Sequence, residues 1–178
     1  MVDPLSLILL AAGGAGVWYF FFRGQTRRAP DAVEEKLKSL GPDFTVFSGI
    51  VRMRDEGMDR IDHAVVSPGG VFIILEVAET GTLQCRMNAM DWPRRGPGTS
   101  KNVHNPVWRN RKRINSLEKE LPEVPLINLV VVVNAQLAGD AGPEVVTFGK
   151  LTGRISANRQ PVLSPEQVER AKAFFKSL

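Results

Sequence analysis

The order of helix-like and strand-like segments predicts an α/β fold that follows one N-terminal membrane-spanning helix. Residues 71–77 and 127–134 are almost continuously apolar, which is typical of central strands covered on both faces. Segments with helical periodicity precede, separate and follow these strands, an order that builds a layered sandwich. Residues 4–22 carry no formal charge and are long enough for a helix to cross a bilayer.

The charges around the N-terminal run predict its orientation. Asp3 is the only charged side chain before the run, whereas Arg23, Arg27 and Arg28 follow it directly. Because positive residues stay on the cytoplasmic side, we expect the N-terminus outside and the rest of the chain in the cytoplasm, anchored as a single-pass protein of the inner (cytoplasmic) membrane. The arginines are then placed to contact anionic lipid. A cleaved signal peptide is the alternative, but residues 18–22 are aromatic and do not resemble a small-residue cleavage site.

Composition bounds the remainder of the chain. Residues 1–23 are assigned to the anchor, 24–30 to a basic linker and 31–178 to one folded domain, which is long enough for a substantial core. Cys85 is the only cysteine, which excludes an intrachain disulfide and a cysteine-based metal site. The net charge of +4 permits binding to phosphate backbones or to anionic lipid.

The first half of the domain predicts one helix and several strands. The helix covers residues 31–40, where Val33, Leu37 and Leu40 share a face, and it ends at a Gly-Pro pair. Strands are predicted over residues 44–51, 60–67, 71–77 and 81–86, with a tight turn at 67–70. The Pro-, Gly- and Arg-rich segment 92–101 predicts a mobile loop.

The second half predicts two helices around a buried strand. Asn105 is a suitable N-cap and Pro106 a suitable first residue for a helix over 106–121. Strands are predicted over residues 127–134 and 145–148. A capping-box pattern beginning at Ser164 predicts a terminal helix over 164–178.

Residues 61–72 (IDHAVVSPGGVF) resemble the signature of the nuclease-related domain family, abbreviated NERD. The Asn105-Pro106 pair and the helix that follows it resemble the family's second landmark, and the likeness extends over residues 31–178. This resemblance implies the restriction-endonuclease-like fold of the PD-(D/E)xK superfamily, a mixed sheet flanked by helices.

The resemblance also implies a catalytic pattern, and this chain matches it only in part. Metal-dependent cleavage in the superfamily uses an aspartate on one strand and Glu-x-Lys on the next, two residues apart because alternate strand residues share a face. Asp62 matches the aspartate. Aligned without a gap, the glutamate falls on Leu75 and the lysine on Val77. The family's helix glutamine is Arg109 here. The resemblance therefore implies a nuclease-like domain with a degenerate site.

An active Mg²⁺-dependent nuclease is the alternative. A one-residue slip brings Glu76 to the acidic position, but this needs a bulge, and Ala78 then stands where the lysine belongs. Asp62 and Glu76 would be its catalytic and metal-binding residues, together with Glu34 or Glu35, and a basic residue from elsewhere would replace the lysine. Its cofactor would be Mg²⁺; otherwise no cofactor is expected. His63 and His104 lack a zinc-ligand spacing and are interpreted as structural and solvent-exposed, respectively. A scaffold without metal or polynucleotide affinity is a third hypothesis.

Basic residues form the remaining candidate site. They occur in the 92–101 segment and the following helix, and they are Arg94, Arg95, Lys101, Arg109, Arg111, Lys112 and Arg113. Such residues neutralise phosphates, and Trp92 or Trp108 could stack on a base, so DNA or RNA is the expected partner. Two other interpretations of these basic residues remain: they form a solvated helix face balanced by nearby glutamates, or they contact anionic lipid. The oligomeric state is open as well.

Overall fold

The computed structural model describes residues 32–54, 57–96, 99–158 and 160–178. The anchor and the linker predicted over residues 1–23 and 24–30 lie outside these residues. Among the helices that are described, none has the length and hydropathy needed to span a bilayer. The described residues from Val33 onward belong to one compact unit.

The described residues form helices and strands in mixed order. The helices are α1 (Ala32–Lys38), α2 (Pro106–Leu117), α3 (Leu151–Ser156) and α4 (Pro165–Ser177), with a 3₁₀ turn at Phe148–Lys150. The strands are β1 (Thr45–Arg54), β2 (Gly57–Ser67), β3 (Gly70–Val77), β4 (Thr82–Arg86), β5 (Asp91–Gly96), β6 (Thr99–His104), β7 (Leu126–Val132), β8 (Gln136–Asp140) and β9 (Val145–Thr147). Strand β8 and helix α3 were not predicted from the sequence.

The strands form two mixed sheets, so the α/β class is confirmed but the expectation of a single mixed sheet is wrong. Sheet A has the order β1-β2-β3-β7-β9, in which β1 to β3 are antiparallel while β3, β7 and β9 are parallel. Sheet B has the order β6-β5-β4-β8, with a parallel pair only between β4 and β8. The second sheet contains the segment that the sequence suggested was a loop.

The prediction of a mobile loop over residues 92–101 is wrong, because β5 and β6 pair there as a hairpin. Trp92 is fully buried and anchors the hairpin, with its indole N–H donating to the carbonyl of Arg86 at 2.9 Å. Pro93 is tolerated because β4 pairs with β5 only at Arg94 and Arg95, so the proline faces no β4 partner. Tertiary burial therefore overrides a composition that favours a loop.

Three apolar clusters form the core. The first joins sheet A to α2 and α4, and the second joins the opposite face of sheet A to α1 and α3. The third lies between the sheets, where Leu75 and Val77 of β3 are clustered with Leu83 and Trp92. This third cluster positions β3, which carries the aligned Glu-x-Lys positions.

Two buried asparagines fix helix α2 on the sheets. The side chain of Asn105 accepts from the backbone N–H of Val107 at 3.0 Å, and its amide donates to the carbonyls of Met87 and Ala89. One turn further on, the amide of Asn110 donates to the carbonyl of Ile73 at 2.7 Å. The Asn-Pro landmark therefore orients the helix that carries most of the candidate basic residues.

Candidate functional site

Asp62 lies where strand β2 separates from β3, immediately beyond the last paired residues, His63 and Ile74. Its carboxylate accepts the backbone N–H of Glu76 at 3.1 Å and lies 3.4 Å from Nε of Arg60. The side chain is 19% exposed. Asp62 is thus held in place by strand β3, and a cationic partner already neutralises it.

Strand β3 runs in unbroken register with β7 from Val71 to Val77, so no bulge shifts its side chains. Because side chains alternate along a strand, Glu76 projects from the face opposite Leu75 and Val77. The Glu76 carboxylate lies 3.6 Å from Nε2 of His63. Leu75 and Val77 therefore share one face of β3, and Glu76 lies on the other.

His63 is a buried residue with polar neighbours on both ring nitrogens. Its Nδ1 lies 2.9 Å from the hydroxyl of Ser48 on β1, and Nε2 is the nitrogen that faces Glu76. This arrangement agrees with the interpretation of a hydrogen-bonded structural histidine. His104 is 52% exposed and lies 3.3 Å from Asp91, in agreement with its expected solvent exposure.

The metal implied by the family does not fit the residues at this position. Leu75 and Val77 are 1% and 4% exposed, and their neighbours in the third apolar cluster offer no carboxylate or amide oxygen. Mg²⁺ prefers oxygen ligands in near-octahedral geometry. Across the described ranges, no group of three or more His, Cys, Asp or Glu side chains could hold a metal ion. The residues around Leu75 and Val77 therefore offer no ligand set for Mg²⁺.

Arg109 occupies the position of the family's helix glutamine and lies within the fields of two carboxylates. Burial and the nearby Arg113 lower the pKa of the Arg109 guanidinium, while Asp62 and Glu79 act in the opposite direction. Two positive charges compete for this region, and two acids offset them. Arg109 is therefore a cation within the electrostatic reach of Arg113, Asp62 and Glu79.

Several candidate basic residues are engaged in ion pairs. Lys101 Nζ lies 2.9 Å from Glu79, and Arg94 Nε lies 3.6 Å from the same carboxylate while its guanidinium donates to the carbonyl of Thr80. Arg113 Nε lies 3.4 Å from Asp59 on β2. These three cations are placed to hold structural elements together. The sequence carried no signal for Glu79 and Asp59 as their partners, since both are distant along the chain.

The other candidates are exposed. Arg95, Arg109, Arg111 and Lys112 form no ion pair with any residue in the described part of the chain. Arg95 projects from the opposite face of β5 to Arg94 and lines a separate open groove on sheet B. Arg109, Arg111 and Lys112 lie together on helix α2. They define the basic helix surface, which also includes Trp108, 42% exposed.

The prediction that Trp92 stacks on a base is wrong, since its side chain is completely buried between the sheets. Trp108 is the exposed alternative. Glu120, one of the glutamates that follow helix α2, pairs with the buried Arg52 of β1. Helix α2 itself contains four basic residues and no acidic residue.

The described residues thus form a mixed α/β domain with Asp62 on a strand and exposed basic residues on helix α2, and the family match assigns this domain to a nuclease-like class. The family model of the nuclease-related domain, NERD, matches residues 25–133 of this chain. The chain therefore belongs to the nuclease-related domain family. A comparison with curated proteins gave no match.

Proposed function

We propose that this protein is a nucleic-acid-binding member of its family whose restriction-endonuclease-like core no longer supports metal-dependent cleavage. One observation carries the proposal: the positions aligned with the catalytic Glu-x-Lys are Leu75 and Val77, both in an apolar cluster between two sheets. A lysine and a metal-bound carboxylate need solvent-accessible, polar surroundings there. The retained Asp62 then has a structural role, accepting the N–H of Glu76.

The basic helix surface supports binding rather than catalysis. Arg109, Arg111 and Lys112 are exposed along one helix, where their charges can neutralise successive phosphates. Asp62 and Glu79 act electrostatically on Arg109 and raise its pKa, against the effects of burial and Arg113. Binding of this kind depends on counterion release, so it weakens steeply with salt and needs no divalent metal.

We expect the Arg111→Ala/Lys112→Ala variant to bind DNA and RNA at least ~10-fold more weakly. The slope of its log affinity against log salt concentration should be shallower by about 1.5, since each phosphate contact contributes ~0.7–0.9 to that slope. The measurement is fluorescence anisotropy over a salt series with the full-length chain in mild detergent. Arg170→Ala/Lys176→Ala is the matched control, because both residues are exposed on helix α4. Its affinity and slope should equal those of the wild type.

Two results would contradict this proposal. The first is wild-type protein that binds no polynucleotide at low salt, or that binds without a salt slope. The second is plasmid cleavage in Mg²⁺ or Mn²⁺ that Asp62→Asn abolishes, because that outcome would establish the active nuclease. Loss of cleavage on Glu76→Gln would then identify the second carboxylate.

We further propose that residues 1–23 anchor the domain to the cytoplasmic membrane, with the domain in the cytoplasm. The uncharged run and the arginines that follow it support this arrangement. Tethering places the linker arginines beside anionic headgroups, which attract Lys and Arg near the surface.

The anchor predicts that the chain remains in the membrane pellet after alkaline extraction. Leu9→Arg should release a large fraction, because an arginine at a helix centre costs about 2.5–3.5 kcal/mol of insertion free energy. Leu9→Ile is the matched control and should remain in the pellet. An intact mass showing removal of the N-terminal segment would instead establish a signal peptide.

A further inference from the structure

The most unusual exposed side chain on the basic helix surface is Trp108. Its indole is 42% exposed, whereas the neighbouring Asn110 and Ile114 of the same helix are fully buried. A single exposed apolar residue requires no explanation by itself. The basic residues beside Trp108 distinguish it from an isolated exposed side chain.

Trp108 has basic neighbours on its own helix. Residues three and four positions apart are neighbours on a helix, so Arg111 and Lys112 flank the indole on its C-terminal side, and Arg109 precedes them. None of the three forms an ion pair with the residues for which side chains are described. An accessible aromatic ring beside exposed cations is complementary to a ligand with phosphates and planar bases.

From this juxtaposition we infer that Trp108 is a base-stacking residue and that the basic helix surface selects single-stranded over double-stranded nucleic acid. The inference rests on the proposed nucleic-acid binding and names its substrate class. In a single strand the base faces are available to an indole, and such stacking is tolerant of sequence. In a duplex the bases are stacked on one another, and extruding one costs a few kcal/mol. Duplex contacts would therefore use the cations and leave Trp108 unused.

A lipid surface fits this helix less well. Interfacial helices bury a continuous apolar face, but among the exposed positions of α2 only Trp108 is apolar. The other large apolar residues, Ile114 and Leu117, are fully buried against sheet A. One indole among polar residues offers little apolar area to a bilayer, while it suffices to stack on one base.

The test compares a fluorescein-labelled oligodeoxythymidylate of about 20 nucleotides, longer than a typical single-strand site, with a duplex of the same length. The full-length chain is used in mild detergent. Trp108→Ala should weaken single-strand binding by about 5- to 100-fold and duplex binding by less than about twofold, because only the single strand offers a stacking face. Trp108→Phe should recover most of the lost affinity. The oligonucleotide should also quench tryptophan emission in the wild type and not in Trp108→Ala.

Met58→Ala is the matched control, since it removes another highly exposed apolar side chain, 72% exposed, on β2. It should leave both affinities unchanged. Equal weakening of single-strand and duplex binding by Trp108→Ala, or no effect on either, overturns the inference while nucleic-acid binding stands. Binding to phosphatidylserine vesicles that requires Trp108, with oligonucleotide binding that does not, overturns it in favour of a lipid contact. A wild type that binds neither polynucleotide removes the proposed function as well.

Discussion

A Leu75→Glu/Val77→Lys variant, which restores the family's Glu-x-Lys pattern, is expected to lose most of its stability and to gain no nuclease activity. The two native side chains are 1% and 4% exposed between the sheets. Losing the buried leucine costs about 2–3 kcal/mol. Placing charges in this cluster costs several kcal/mol more, even if the two groups pair. A total of about 5 kcal/mol or more is comparable with the whole stability of a typical domain.

The single variant Leu75→Glu separates burial of charge from loss of packing. Burial raises the pKa of a carboxyl above its usual value of about 4.3, so the unfolded state ionises first as the pH rises. The variant should therefore be most stable near pH 4 and lose stability toward about pH 7. The free energy of unfolding is measured at each pH by urea denaturation followed by circular dichroism. Leu75→Met keeps the volume and should cost less than about 1.5 kcal/mol.

Restored cleavage would reverse the conclusion. If the double variant unfolded at wild-type urea concentrations and cut plasmid in Mg²⁺, then positions 75 and 77 would face an accessible site, not an apolar interior. If the free energy of unfolding of Leu75→Glu did not depend on pH, the introduced carboxyl would be solvated.

Asn110→Ala is expected to lower the free energy of unfolding by about 3 kcal/mol, because unmade buried hydrogen bonds cost about 1–3 kcal/mol each. The Asn110 amide donates to the carbonyl of Ile73 and to the Asn128 side chain, both at 2.7 Å, and more weakly to the carbonyl of Leu129. Asn128 in turn donates to the carbonyl of Val107 at 3.0 Å. Removing Asn110 leaves acceptors on two adjacent strands without their donor.

A double-mutant cycle tests this network. Asn110→Ala/Asn128→Ala should destabilise by less than the sum of the single variants, with a coupling of about 0.5–3 kcal/mol, because the side chains are mutual partners. Asn115→Ala is the matched control on the same helix; its side chain is exposed, so the change should stay within about 0.5 kcal/mol. Additive single effects, or an equal loss in Asn115→Ala, would contradict a specific role for Asn110.

Segments with strong local signals were predicted well. The apolar run of β3 and its alternation identified Leu75, Glu76 and Val77 with their correct faces, since period-two alternation is a local property. The terminal helix follows its capping box, which forms between Ser164 and Gln167. The β5–β6 hairpin was missed because its stability comes from burying Trp92 and Val103 against residues distant in sequence.

The candidate site was predicted in composition but not in arrangement. The sequence proposes seven basic residues, but only the fold separates those paired with Glu79 or Asp59 from those left exposed on helix α2. The same holds for the tryptophans, of which Trp92 is buried and Trp108 exposed. Charge and residue type can be read from a sequence, whereas ion-pair partners depend on which strands become neighbours.

The sequence by itself determined the family and the α/β class, because both depend on residue identities and apolar patterns at short, fixed spacings. The tertiary structure alone decided that positions 75 and 77 lie between two sheets and that Arg109, Arg111, Lys112 and Trp108 share an exposed surface. Burial and charge pairing arise from contacts between residues far apart in the chain, and no local pattern encodes them.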